Sequence, residues 1–248
     1  MDLRIQRSVV SHLGNRPQVV EIGPFVAGLD PDTDSPFINY ATPLPGVPIT
    51  AADVTALVRA FDRAGRKPRL EYVTNCSPEL EDLLLSAGFT VEARQEYLVC
   101  TAERLVASPV HPDVDLEEPG TDRDRAALVE ATNEAFGEAP QASEADVARV
   151  RRNQERRGVA LAALIDRGCA GGGQAMPPHD GVSEVAGIGV REPFRGRGVG
   201  QAITAGITAR LFARGVEIAW LEAGGEDSWR VYERVGYRPS GQRLYISR

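Results

Sequence analysis

Gly189-Val190-Arg191-Glu192-Pro193-Phe194-Arg195-Gly196-Arg197-Gly198-Val199-Gly200 decides the fold of this chain. A strand is predicted just before it, over Glu184–Val190, and a helix just after, over 199–213, so Gly196, Gly198 and Gly200 mark a strand-to-helix junction. The first N–H groups of a helix have no intrahelical partner. Glycine lets that backbone turn tightly and approach an anion closely. The helix dipole adds positive potential at the same place, and Arg195 and Arg197 supply full charges. A diphosphate suits this chemistry. A dinucleotide fingerprint would put its third glycine at 201, which is Gln201, and would open its domain rather than lie deep within it. A Walker loop would need Gly-Lys-Ser/Thr, which is absent.

Reading outward, Val216–Leu221 is nearly all apolar, as expected of a strand buried on both faces. A helix follows over 226–235, then a strand over Arg243–Ser247. Upstream, a strand is expected near Val114–Leu116 and helices near 122–136 and 144–157. Each helix opens on a capping-box pattern, Thr121 with Asp124 and Ser143 with Asp146. Val159–Ile165 reads as an apolar strand. Residues 167–182, rich in Gly and Pro, read as a mobile hairpin loop. The run Arg151–Arg157 reads as a solvated helix face.

The clearest break is Ser108-Pro109-Val110-His111-Pro112, where the prolines forbid a regular helix or ladder. It divides the chain into 1–101, a linker over 102–112, and 113–248. The first part opens with extended segments around Val19–Ile22 and Phe37–Tyr40. A helix over 50–64 follows, capped by Thr50 with Asp53 three residues on, ended by Gly65, and apolar on one face through Val54, Leu57, Val58 and Phe61. Next come a strand at Leu70–Val73, a short helix from Ser77-Pro78 to Gly88, and a strand at Glu92–Cys100. Both parts read helix, strand, short helix, Gly-aromatic, strand: Leu83–Phe89 resembles Val231–Tyr237, and Leu70-Glu71 resembles Leu221-Glu222. The fold class is therefore α/β (α+β), a mixed central sheet flanked by helices, in two similar units.

The composition fits such units. Of 248 residues, 42% are hydrophobic and 25% charged, enough for a real core. A net charge of −7 gives no reason to expect nucleic acid or an anionic membrane as partner. No run of about 18 apolar residues suggests a membrane span, and Met1–Gln6 lacks the layout of a signal peptide. Cys76, Cys100 and Cys169 form neither a disulfide framework nor a metal motif, and His12, His111 and His179 are scattered. A cytoplasmic protein without a metal site is expected.

Two stretches together carry a family resemblance. Gly189–Gly200, with Arg195, Gly198 and Gly200 in the defining places, resembles motif A of the GNAT superfamily of N-acetyltransferases. Val231-Tyr232-Glu233-Arg234-Val235-Gly236-Tyr237 resembles that family's Leu-Tyr-x-x-x-Gly-Phe ending. The resemblance covers about 113–248, and more loosely the first part as a degenerate GNAT-like unit. It implies acetyl-CoA (coenzyme A) as co-substrate and a small-molecule or peptide amine as acceptor, in a monomer or homodimer.

By the same resemblance, the backbone of Ile188, Gly189 and Val190 pairs with the pantetheine arm, and Val190 N–H faces the thioester oxygen. Arg195, Gly196, Arg197, Gly198, Val199 and Gly200 hold the pyrophosphate, and Tyr232 is the general acid for the departing thiolate. Glu222 is the candidate base, with Glu184 as the other carboxylate. Gly225 stands where many relatives carry a cofactor-contacting Asn, so it receives no role. The first part has no Arg-x-x-Gly-x-Gly loop and carries Leu84 in the place of Tyr232. It is expected to turn over no acetyl-CoA, and instead to shape the acceptor cleft or to pack structurally. The alternatives are a non-catalytic acyl-CoA-binding regulatory module and a transferase using another acyl-CoA.

Overall fold

The structure, a computed structural model, describes residues 1–106 and 113–248. The elements run α1 (Asp2–Leu13), β1 (Gln18–Ile22), β2 (Phe25–Leu29), β3 (Tyr40–Pro43), α2 (Ala51–Arg63), β4 (Arg69–Val73), α3 (Leu80–Ser86) and β5 (Thr90–Cys100). They continue β6 (Asp115–Glu117), α4 (Asp122–Ala135), α5 (Glu144–Glu155), β7 (Val159–Ile165), β8 (Gly168–Ala175), β9 (Val182–Val190), α6 (Val199–Ala213), β10 (Ile218–Glu222), α7 (Glu226–Val235) and β11 (Arg238–Ser247). The chain packs as two compact units, one of Met1–Tyr97 with Ser240–Arg248 and one of Leu98–Pro239. The proline-rich break at 108–112 lies outside the described residues. The sequence division leaves the last strand with the second part. By packing, Ser240–Arg248 joins the first unit, because β11 pairs antiparallel with β4 from Arg243↔Val73 to Ser247↔Arg69.

In the first unit, β1, β2 and β3 form an antiparallel meander, and α2 crosses over to β4, which is parallel to β3. The core is Phe25, Ala27, Val54, Leu57, Phe61, Leu70 and Leu84 with their neighbours, sealed by the apolar face of α2. Thr50 and Asp53 form the expected capping box, with Asp53 N–H donating to Thr50 Oγ1 at 3.3 Å and Thr50 N–H to Asp53 Oδ2 at 2.8 Å.

Several details depart from the expectations. Helix α1 was not anticipated: it has no side-chain cap, yet Ile5, Val9 and Leu13, spaced by four, are buried. Strand β2 was also unforeseen. The segment expected at Phe37–Tyr40 becomes a strand only from Tyr40, and α3 begins at Leu80 rather than at Pro78.

The second unit repeats this order. β7, β8 and β9 are antiparallel neighbours, α6 crosses over, and β10 lies parallel to β9, with β6 on the far edge. Helix α6 covers one face of the sheet against Leu161, Ala163 and Val185, and α4 with α5 covers the other against Ala160 and Ala162. Both expected capping boxes are present.

The hairpin loop expected over 167–182 is overturned: Gly168–Ala175 is β8, an inner strand with Cys169–Gly173 buried. Its glycines exist because the neighbours leave no room for a side chain. A Cβ on Gly172 would lie 2.0 Å from Leu128 Cδ1 and 2.6 Å from the Leu161 carbonyl oxygen, and one on Gly171 2.3 Å from the Gly189 carbonyl oxygen. Glycine in a strand interior marks close approach as readily as it marks a turn.

Candidate active site

The site is built where β9 and β10 part. Their parallel register covers Val182↔Ile218, Ser183↔Ala219 and Glu184↔Trp220 only. Beyond that, β9 runs on to Val190 paired with β8 alone. Gly187, at φ +65°, interrupts the β8–β9 register and twists the free edge. Arg191 N–H donates to the Ala170 carbonyl on β8 at 2.9 Å. Successive residues of an antiparallel strand address opposite edges, so the N–H of Val190 points to the edge facing away from β8. The Val190 carbonyl on that edge accepts from Arg195 Nε at 2.9 Å. Open main-chain groups at the carboxyl end of a parallel pair are where ligands enter α/β sheets.

The loop after β9 leads directly into α6. Gly198 is the N-cap residue at φ 76° and ψ 4°, and Gly196 has φ 74°. These left-handed conformations favour glycine, and a Cβ at either position would meet nothing within 4 Å. The first backbone bond into α6 is Ala202 N–H to Gly198 O, so the N–H groups of Val199, Gly200 and Gln201 have no acceptor among the described residues. Helices α2, α4 and α5 close this position with their own Thr or Ser and Asp. The start of α6 is left open.

The two arginines act differently. Arg195 braces the loop, donating to the Val190 carbonyl and, through Nη2, to the Ala135 carbonyl at the end of α4 at 2.9 Å. Arg197 is exposed, its guanidinium 5.9 Å from the Phe194 ring. It is the freer charge at the helix start.

Tyr232 lies on α7, buried to 7% exposure and tilted against Tyr237 with ring centroids 6.3 Å apart. Tyr237 is tied to α6 by a 2.7 Å hydrogen bond to Thr208 Oγ1. Among the described residues the Tyr232 hydroxyl makes no hydrogen bond, and burial pushes its pKa up to about 12. Glu222 ends β10 two residues past the last registered pair, where the strands have parted, with its Oε1 out of contact with water. Glu184 sits within the registered section, opposite Trp220.

The sequence reading missed two contributors. Gly187 gave no motif signal beyond its identity. The end of α4 packs on the site strand: a Cβ on Gly189 would lie 3.0 Å from Ala135 Cβ, 3.4 Å from Thr132 Cα and 3.5 Å from Phe136 Cε2. Arg191 Nε pairs with Glu134 of the same helix at 2.9 Å. Gly225, the N-cap of α7, offers only its backbone, bonded to Ser228 Oγ. Among the described residues, no three His, Cys, Asp or Glu side chains are grouped to hold a metal, and no helix is long and apolar enough to cross a membrane.

Comparison with known proteins follows the same outline. Residues 125–237 match the family model described as acetyltransferase (GNAT) family. Among solved structures, a GCN5-related N-acetyltransferase from Kribbella flavida superposes with a TM-score of 0.83 at 25% identity, covering 100% of this chain and 95% of that one. A GCN5-related N-acetyltransferase from Sphaerobacter thermophilus gives 0.65 at 16% identity, over 99% of this chain and 91% of that one. A tandem GNAT protein from the clavulanic acid biosynthesis pathway gives 0.64 at 12% identity, over 90% and 78%. No curated protein matches the sequence.

Proposed function

We propose, from the match of residues 125–237 to the acetyltransferase (GNAT) family model, that the chain moves an acetyl group from acetyl-CoA to an amine by direct attack in a ternary complex. The observation that carries this reading is the continuity between the open edge of β9 and the uncapped start of α6. One extended ligand with a thioester at one end and a diphosphate at the other fits both. The pantetheine arm pairs with the main chain of Ile188, Gly189 and Val190. The diphosphate takes the N–H groups of Val199 and Gly200, with the loop from Arg195 to Gly198 around it.

The chemistry follows from the groups present. A neutral amine attacks the thioester carbonyl carbon, and charge develops on its oxygen. A fixed N–H donor aimed at that oxygen stabilises the transition state more than the ground state, and Val190 N–H is oriented for it. Collapse breaks the C–S bond, and the thiolate takes a proton from Tyr232. With its pKa near 12, the phenol keeps that proton at neutral pH. The surroundings that raise the phenol also disfavour a bare thiolate, so both proton affinities rise and the departing sulfur is pressed to take a proton as it leaves. Glu222, directly or through water, takes the proton that the acceptor ammonium must lose. The acceptor is a small-molecule or peptide amine.

A thiol-release screen tests this: purified protein with acetyl-CoA against antibiotics, polyamines, amino acids and peptides. Free CoA appearing with at least one amine class supports the reading. Calorimetric binding of acetyl-CoA with no thiol release from any amine would assign the chain to non-catalytic acyl-CoA binding, and faster release from longer acyl-CoAs would change the donor.

A further inference from the structure

The first unit repeats the parted parallel pair, but there the gap is filled. β3 and β4 are in register at Ala41 and Leu70 alone, and both continue past that point toward their carboxyl ends. Parted strands leave main-chain groups that need partners. One side chain of α1 takes them. Gln6, fully buried, donates from Nε2 to the Pro43 carbonyl and to Thr42 Oγ1 on β3, each at 2.8 Å. Its Oε1 accepts from Val73 N–H on β4 at 2.9 Å. Thr42 in turn donates to the Glu71 carbonyl on β4 at 2.7 Å. Both amide protons and the amide oxygen are used across the gap.

The rest of this unit agrees with a closed state. α1 is pinned by Ile5, Val9 and Leu13 in the core and by Asp2, which accepts from Asn75 Nδ2 at 2.7 Å and from the Tyr97 hydroxyl. The start of α2, the counterpart of the open start of α6, is closed by Thr50 and the carboxylate of Asp53, a negative charge where a diphosphate would need donors. Glu71, the counterpart of Glu222 in the repeat, is buried between Arg69 and Arg243, with Arg243 Nη2 at 3.0 Å. Both of its carboxylate oxygens are thereby committed to arginines within the unit.

We infer that α1 is a built-in occupant of the first unit's acyl-carrier gap. The Gln6 carboxamide stands where a ligand amide would pair, and the chain takes one acyl-CoA, on the second unit alone. The stoichiometry rests on the function proposed for the second unit; the occupancy by Gln6 does not.

Hydrogen exchange on the full chain, with and without CoA, reads both. CoA is expected to slow exchange in 186–204 and to leave 40–53 and 71–80 unchanged; slowing in either of the latter stretches overturns the inference. In a second arm, Gln6→Ala and the near-isosteric Gln6→Met are compared with wild type without ligand. Val73 N–H is expected to exchange about 10-fold faster or more in both, because its acceptor is gone, while thiol release is unchanged. An unchanged Val73 rate in both variants also overturns the inference. CoA protection nowhere would remove the function proposed for the second unit and leave the Gln6 arm to decide the occupant.

Discussion

Gly198→Ala isolates the proposed diphosphate loop from the rest of the molecule. The glycine stands at φ 76°, and a Cβ built on it meets no atom within 4 Å. The substitution therefore adds no clash, and its whole effect is that of a left-handed backbone on an L residue, about 1–2 kcal/mol. That strain must show in one of two places. If the loop keeps its shape, the folded state carries the strain and unfolding free energy falls by the same ~1–2 kcal/mol. If the loop relaxes in the free protein, CoA must restore it on binding, and its Kd rises about 5- to 30-fold. The denaturation midpoint and a calorimetric CoA titration, taken together, should recover the total.

Two controls sharpen the measurement. Gly120 is exposed, lacks the positive φ, and has nothing within 4 Å of its would-be Cβ, so Gly120→Ala should change neither quantity. Acetylpantetheine lacks the diphosphate, so any binding loss in Gly198→Ala should vanish with it. Wild-type stability together with wild-type CoA affinity would refute the reasoning, and so would an equal loss with acetylpantetheine.

Tyr232→Phe should lower kcat about 100-fold or more, within the range for losing a general acid, while CoA binding stays at the wild-type value by calorimetry. With the Tyr232 pKa near 12, the pH profile of kcat should show no falling alkaline limb below about pH 11; a limb near pH 9 that Tyr232→Phe removes would contradict the burial argument. Gly172→Ala should cost about 1–3 kcal/mol or more by overpacking, since its Cβ meets a Leu128 methyl and the Leu161 carbonyl; an unchanged thermal midpoint would show that β8 is not packed as described. His12 is held to a pKa of about 3, by burial first and then by the charges of Arg16 and Arg243. A depressed histidine favours the neutral form in the folded state, so its contribution is present above the unfolded value near 6.5 and is lost as pH falls toward 3. Stability between pH 6.5 and 5 should therefore drop with a slope of up to about 1.4 kcal/mol per pH unit, and His12→Gln should flatten it.

The parts of the fold legible in the sequence are those whose cause is local. Thr50, Thr121 and Ser143 each carry an aspartate three residues on, and all three capping boxes form. The glycines at 196 and 198 needed only their own backbone freedom to be understood. What stayed hidden was set by distant partners. Gly171 and Gly172 read as loop because nothing nearby in sequence reveals that Leu128 and Gly189 press on them. α1 was hidden by its missing cap, although Ile5, Val9 and Leu13 carry helical spacing. The membership of Ser240–Arg248 in the first unit depends on β4, some 170 residues earlier, and no periodicity encodes a pairing choice. In the candidate site, the loop was legible and its bracing was not: Arg195 reads as a free charge until the Val190 and Ala135 carbonyls appear at its nitrogens.

The two units show how little chemistry separates an open site from a closed one on the same order of strands and helices. Each has a parallel pair that parts after a short register, a crossover helix starting beside the gap, and a carboxylate near the end of the second strand. In the second unit the helix start is glycine, the gap faces no side-chain amide among the described hydrogen bonds, and Glu222 lies beyond the last registered pair. In the first, Thr50 and Asp53 satisfy the helix, Gln6 satisfies the gap, and Arg69 with Arg243 neutralises Glu71. Each closure supplies internally what a ligand would otherwise bring: an anion at the helix start, an amide across the strands, a cation at the carboxylate. Unsatisfied main-chain groups are costly in any folded protein, so a unit relieved of binding is stabilised by side chains that take over the ligand's hydrogen bonds. The second unit leaves the N–H groups at the start of α6 without an acceptor among the described residues, and that retained cost is the physical reason to look for its ligand there.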